Sequence, residues 1–204
     1  MAYGKAIELF LVNGTADSLI TAELSNWNGK AIKIPRTEVS GCNRDDVKGA
    51  GVYFLICQED DGTDSVYIGE AENVQDRLVQ HLREYQSGKE KYYWNTAVIF
   101  VGRDLNKALI RYLENRFVEI ARECGRYAVL TKNTYKNTVM KESQIASMEE
   151  FIDNVKILIN TLGYKVLVPA PKATDDTVYL YCKGSGASAT GFVSIGGFTV
   201  LKDL

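Results

Sequence analysis

The residues best equipped for chemistry gather between Gly51 and His81. Tyr53 and Tyr67 carry hydroxyls, Arg77 carries a guanidinium, and His81 is the one imidazole of the 204-residue chain. Arg77 and His81 stand four residues apart in a helical pattern, so they share one helix face, a turn apart. Hydrolysing a phosphodiester requires an activated water, stabilisation of charge at phosphorus and a route for a proton, and these side-chain types suit those tasks. Further along, Glu114 has Ile110, Phe117 and Val118 at its i−4, i+3 and i+4 positions. A carboxylate among apolar neighbours is costly unless it is paired or bound to a cation. Two settings therefore stand open for Glu114: an ion pair with Arg111 or Arg77, or a metal site.

Two apolar runs, 50–56 and 66–69, predict strands that present the tyrosines. Asn73 is a good cap for the helix that follows, with Val74, Leu78, Leu82 and Tyr85 as its apolar stripe and Gly88 as its stop. Residues 97–102 predict a buried strand. Asp104 is the expected cap of a long helix through Leu105, Leu109, Leu113 and Phe117 to Cys124, ended by Gly125. The acidic loop 58–64 lacks the spacing of an EF-hand and reads as a solvated hairpin loop. Upstream, 6–12, 18–24 and 30–34 predict three short strands joined by Asn13-Gly14 and Asn28-Gly29 turns. Downstream, Ser147-Met148-Glu149-Glu150 has the form of a capping box opening a helix that ends at Gly163. A strand at 165–168 is expected next, then a boundary at Pro169-Ala170-Pro171. Short strands at 178–182, 191–195 and 198–201 follow among glycines, with Gly184-Ser185-Gly186 as a turn.

The expected class is therefore α+β: a small antiparallel central sheet flanked by helices, with extra β-rich N-terminal and C-terminal segments. The expected division is a β-rich extension at 1–48, a central domain at 49–145, and a helix plus β-rich segment at 146–204. The tail stops abruptly, which reads as a chain cut from a longer protein.

Composition is that of an ordinary globular protein, 46% hydrophobic and 25% charged. The sequence holds no run of ~18 apolar residues and no signal-peptide pattern at its start, so a membrane role is not expected. Cys42, Cys57, Cys124 and Cys182 are scattered and form no CxxC pair, which fits a reducing cytoplasm. The net charge of −2 argues against strong nonspecific nucleic-acid binding, but it is unevenly spread: −6 over residues 1–73, +6 over 74–141 and −2 over 142–204. The basic middle segment is either a set of solvated mixed-charge helices or a face for a polyanion.

Gly51-Val52-Tyr53 and Tyr67-Ile68-Gly69 resemble the two motifs that name the GIY-YIG nuclease family. The family places an arginine ten residues after the second tyrosine, where Arg77 stands, often a histidine one turn later, where His81 stands, and a glutamate on a later helix, matched by Glu114. The resemblance covers about Gly49 to Cys124. The first 48 residues and the tail from Lys183 are similar to flanking regions of bacterial GIY-YIG proteins, in which the tail begins a C-terminal domain of unknown function. Val52 replaces the family's isoleucine, and Asn133 is the candidate for an asparagine beyond the glutamate.

The resemblance implies a GIY-YIG-like fold and a DNA endonuclease that uses one Mg²⁺ (or Mn²⁺) held by Glu114. It implies Tyr53 as general base, Tyr67 as an orienting hydroxyl, Arg77 as a phosphate clamp and His81 as a helper in ionising Tyr53. RNA as substrate and the oligomeric state stay open. Two competing expectations are a non-cleaving nucleic-acid binding module and a protein-interaction scaffold on the same fold.

Overall fold

In the computed structural model, residues 3–58, 62–132, 139–174, 176–184, 187–194 and 197–201 are described. Residues 59–61 of the acidic loop, Asn133, and Ser185 and Gly186 of the expected turn lie outside them. The chain divides into two compact units, 1–168 and 169–204.

The first unit is mixed α and β. Its strands are β1 (Ile7–Leu11), β2 (Ile20–Leu24), β3 (Gly29–Pro35), β4 (Gly51–Gln58), β5 (Asp64–Ala71), β6 (Trp94–Gly102) and β7 (Ala128–Val129). They form one sheet in the order β1-β2-β3-β6-β4-β5-β7, antiparallel at every pair except β5–β7. Its helices are α1 (Val74–Gln86), α2 (Lys107–Cys124) and α3 (Glu142–Thr161), and two short 3-10 turns, Arg36–Gly41 and Asp45–Val47, link β3 to β4. Among the described residues no helix is long and apolar enough to cross a membrane.

β4 lies inside the sheet with both faces covered, which is why its sequence is almost uninterruptedly apolar. The period-2 alternation of a strand splits its side chains. Val52, Phe54 and Ile56 join a core with α2 and α3 residues such as Leu113, Phe117, Phe151 and Val155. Tyr53, Leu55 and Cys57 point the other way, into a core with Val74 and Leu78 of α1, Trp94, Ile99 and Ile34. Tyr53 thus belongs to the α1 side of the sheet, and Glu114 approaches from the α2 side.

Several elements differ from expectation for definable reasons. Asn106, not Asp104, caps α2: its side-chain oxygen accepts from the amides of Ala108 and Leu109 at 3.0 and 3.2 Å. α3 begins five residues before Ser147, whose hydroxyl instead donates back to the Ser143 carbonyl at 3.0 Å. The start is fixed by Gln144, whose side chain accepts from the Lys141 amide at 3.0 Å. Residues 165–168 form a turn rather than a strand, because Val166 and Leu167 fill the core beneath it. β7 is too short to carry a pattern of its own.

The boundaries expected at 48/49 and 145/146 do not separate compact units. β3 pairs with β6 along its whole length, which makes the first 48 residues a continuation of the central sheet. α3 packs in the core that holds Ala22, Leu24 and Ala31. The division falls instead at Val168/Pro169, where the Pro169-Ala170-Pro171 signal stands.

The second unit is a three-stranded antiparallel sheet of β8 (Tyr179–Gly184), β9 (Ala187–Ser194) and β10 (Gly197–Leu201), ordered β10-β9-β8. Gly191 on the middle strand leaves room for the ring of Phe198, which a β-carbon there would strike.

Candidate functional site

β4 and β5 lie in a register that sets Tyr53 directly opposite Gly69. A β-carbon at residue 69 would overlap the Tyr53 hydroxyl and come within 2.9 Å of the Tyr67 ring, so the glycine is the space into which the two phenols reach. A β-carbon at Gly51 would approach the Phe100 carbonyl oxygen to 2.5 Å, which requires glycine at the strand's start. The Tyr53 and Tyr67 rings stack with centroids 6.3 Å apart, and the His81 ring meets both edge-on at 5.6 and 5.2 Å.

α1 supplies the next two groups. Asn73 caps it by accepting from the Asp76 amide at 3.2 Å, which fixes the helix start and hence the direction of its faces. His81 is fully buried, and its Nε2 lies 3.0 Å from the Tyr53 hydroxyl. Arg77, one turn earlier, is half-buried beside both phenols. Burial pushes the Tyr53 phenol well above its ordinary value; Tyr67 and Glu114 push it further, and the Arg77 charge pulls against them. Tyr67 is raised for the same first reason, with Arg77 opposing and Glu114 adding. Both phenols therefore rest protonated. Ionising Tyr53 requires an acceptor for its proton, and His81 Nε2 is in place to be one.

α2 brings Glu114 near this cluster. The carboxylate is buried, and its Oε2 has no hydrogen-bond partner. Burial pushes its pKa up to about 7; the neighbouring Glu70 adds to the rise, while Lys107 and Arg111 oppose it. Glu70 in turn holds Lys107 at 3.0 Å and Arg111 at 3.8 Å, which keeps those cations beside Glu114. The pairing with Arg77 considered from sequence is not formed: Arg77 reaches Glu84 at 3.6 Å. A buried, unpartnered carboxylate oxygen is suited to a hard cation that favours oxygen ligands, and Mg²⁺ and Mn²⁺ are of that kind. Glu114 fits that task.

The raised pKa of Glu114 has a stability consequence. The folded state binds its proton up to about pH 7, whereas an ordinary glutamate releases it near 4.5. Metal-free stability therefore falls as pH rises between those values. Glu114→Gln removes the charge and keeps the shape. We expect this variant to melt about 2–4 °C above wild type at pH 8 without metal, with the gap closing toward pH 5. Thermal melts at both pH values check this; a gap independent of pH would contradict it.

Of the five residues singled out from sequence, Tyr53, Tyr67, Arg77 and His81 fall in this one cluster, and Glu114, on the α2 side of the sheet, lies near enough for its charge to act on both phenols. Sequence reasoning missed Glu90, Tyr92 and Glu70. Glu90 and Tyr92 sit in the segment between α1 and β6, outside any periodic element. After Gly88, at φ +72°, the amides of Lys89 and Glu90 both donate to the Glu84 carbonyl, folding the chain back onto the end of α1. Glu90 Oε1 thereby lies 2.5 Å from His81 Nδ1, and the Tyr92 hydroxyl donates to the same oxygen at 2.6 Å. Glu70 adjoins the Tyr67-Ile68-Gly69 motif, and that adjacency was the available signal.

His81, Glu84 and Glu90 also bring three potential metal-ligand atoms within 4.8 Å of one another. Both imidazole nitrogens are already engaged, Nε2 with Tyr53 and Nδ1 with Glu90, so the group is first a hydrogen-bonded chain. A cavity of about 420 Å³ between Trp27, Leu105 and the start of α3 shares no lining residue with the cluster. It ranks below the cluster as a place for chemistry, because of the two the cluster is the one that combines buried polar groups with shifted pKa values and lies beside an unpartnered carboxylate oxygen. Comparison with family models, with curated proteins and with solved structures finds no match.

Proposed function

We propose that this chain is a divalent-metal-dependent endonuclease of GIY-YIG type that hydrolyses DNA phosphodiester bonds. The observation that carries the reading is the convergence of Tyr53, Tyr67, Arg77 and His81 from two strands and one helix, with Glu114 of α2 near enough for its charge to act on both phenols. These are the residues that match the family's motifs, and a chance match of motifs would leave them scattered. The strand pair β4–β5, followed by α1 on one face and α2 on the other, supports a GIY-YIG-like arrangement. The wider sheet adds β1 to β3 on the far side of β6.

The geometry supports the chemistry that the resemblance implies. Tyr53 takes a proton from the attacking water while its own proton passes to His81 Nε2. Arg77 grips a phosphate oxygen through its planar fork. Tyr67, half-buried beside it, orients the water or a second phosphate oxygen. Glu114 would hold one Mg²⁺ (or Mn²⁺), which supplies positive charge at the scissile phosphate and its leaving oxygen. The partner is DNA, with RNA open as a substrate, and a reducing cytoplasm suits the four free cysteines.

Supercoiled plasmid incubated with the protein and Mg²⁺ is expected to appear as nicked circles, and a chelator is expected to stop the reaction. Salt-dependent DNA binding without nicking in Mg²⁺ or Mn²⁺ would replace this reading with a non-cleaving binding module. No DNA affinity at low salt would favour a protein-interaction scaffold.

A further inference from the structure

Glu90 has no part in the mechanism above, yet it makes the shortest polar contact of the cluster. Its side chain is 9% exposed and that of His81 is 1% exposed, so the pair is sealed from water. Glu90 Oε1 receives two contacts, from the Tyr92 hydroxyl and from His81 Nδ1. An ionised carboxylate at Oε1 would accept from both, from the phenol and from the ring nitrogen 2.5 Å away. Burial pushes the Glu90 carboxyl upward, but the His81 and Tyr92 hydrogen bonds and the Arg77 charge outweigh it and hold it below its ordinary value.

We propose that Glu90 is a positioning residue that holds the His81 proton on Nδ1 and so leaves Nε2 as the acceptor for Tyr53. A carboxylate can only accept, so the hydrogen between it and the ring belongs to Nδ1. The neutral imidazole then has its lone pair on Nε2, directed at the Tyr53 hydroxyl 3.0 Å away. The result is a one-way chain, Tyr53 to His81 to Glu90, in which each group donates to the next. A carboxylate that fixes a histidine tautomer and steadies the imidazolium formed on proton transfer is a recurrent device in hydrolases.

The catalytic consequence rests on the nuclease reading; the tautomer does not. In the reaction, a water O–H bond breaks and its proton passes to the Tyr53 oxygen, while the Tyr53 proton moves to His81 Nε2. The hydroxide oxygen bonds to phosphorus, the bond from phosphorus to the leaving oxygen breaks, and that oxygen takes a proton from solvent. His81 is then an imidazolium beside Glu90 and returns to neutral by passing the proton from Nε2 back to the Tyr53 oxygen, which releases its own proton to the emptied site and solvent. The charged and titratable groups facing His81 are Tyr53 from β4, Tyr67 from β5, Arg77 and Glu84 from α1, Glu90 and Tyr92 from the segment after it, and Glu114 from α2 across the phenols.

The single histidine makes the test direct, because ¹⁵N-histidine labelling of the full chain gives one imidazole spectrum. At pH 8 wild type is expected to show a proton on Nδ1 and none on Nε2. Glu90→Gln offers an amide that can donate to Nδ1; it is expected to populate the Nε2–H form and to slow plasmid nicking roughly 10²–10⁴-fold with unchanged Mg²⁺ dependence. Tyr92→Phe keeps the carboxylate and is expected to keep the Nδ1–H form. A proton on Nε2 in wild type, in either a neutral or a cationic ring, overturns the proposal, whether or not Glu90→Gln folds. A folded Glu90→Gln with unchanged tautomer and unchanged nicking overturns it as well. A wild-type protein that does not nick overturns the nuclease reading, while the ring spectrum still decides the tautomer.

Discussion

Glu114→Ala is expected to abolish plasmid nicking, with a loss of at least roughly 10²–10³-fold, the scale at which removal of a single electrostatic stabiliser acts. The loss should come with no loss of fold. Most substitutions of a fully packed helix residue weaken the protein, and lower activity would then only report less folded protein. Glu114 differs because its carboxylate is buried with Oε2 unpartnered and its pKa is pushed up to about 7. At pH 8 in the absence of metal the charge is a burden on the folded state, and removing it relieves that burden. A variant as stable as wild type, or more so, and inactive would assign the carboxylate to function. The combination to measure is melting temperature with and without Mg²⁺ alongside nicking. Wild type should gain stability from Mg²⁺, as any protein does whose folded state alone binds the ion, and Glu114→Ala should gain little. Nicking by Glu114→Ala at the wild-type rate would sink the metal assignment.

The legibility of this site in the sequence follows element periodicity closely. Tyr53 and Tyr67 stand on strands whose alternation announces them, and Arg77 and His81 on a helix whose four-residue spacing places them on one face. Glu114 was legible for a different reason, as a polar residue at a position that the pattern of α2 marks as apolar. That conflict between local rule and residue type points to function more often than to packing. Glu90 and Tyr92 were not legible, because their placement depends on a turn after Gly88 that folds back onto α1. Loop geometry of that kind follows from hydrogen bonds to the Glu84 carbonyl, which no spacing encodes. The fold shows the same contrast. The existence of β4, β5, α1 and α2 could be read from their patterns. The joining of the first 48 residues to the central sheet could not, because the β3–β6 pairing spans about seventy residues of chain and is fixed by tertiary contact. The cap of α2 was misplaced by two residues for a local reason: Asp104 and Asn106 are both good caps, and only the observed chain direction selects Asn106.

Tyr53→Phe is expected to lower nicking roughly 10²–10⁴-fold, the contribution of a well-placed general base, while DNA binding persists. Phenylalanine keeps the ring that stacks on Tyr67 and meets His81 edge-on, so packing in the α1-side core should survive. What disappears is the hydroxyl, and with it the donor to His81 Nε2. A buried acceptor left without a partner costs about 1–3 kcal/mol, which for a domain of this size is a fall of several degrees in melting temperature. Tyr67→Phe should cost less activity, since its hydroxyl orients rather than transfers. The sharp comparison is with His81→Ala. If Tyr53 is the base and His81 its proton acceptor, the two groups act in series. The double variant Tyr53→Phe/His81→Ala should then be scarcely slower than either single variant, the non-additivity expected of residues that work as a unit. Additive losses would mean that the two act independently on the substrate. Full activity in Tyr53→Phe with none in His81→Ala would transfer the base to the imidazole itself, and the hydroxyl 3.0 Å from it would then serve only to hold the ring.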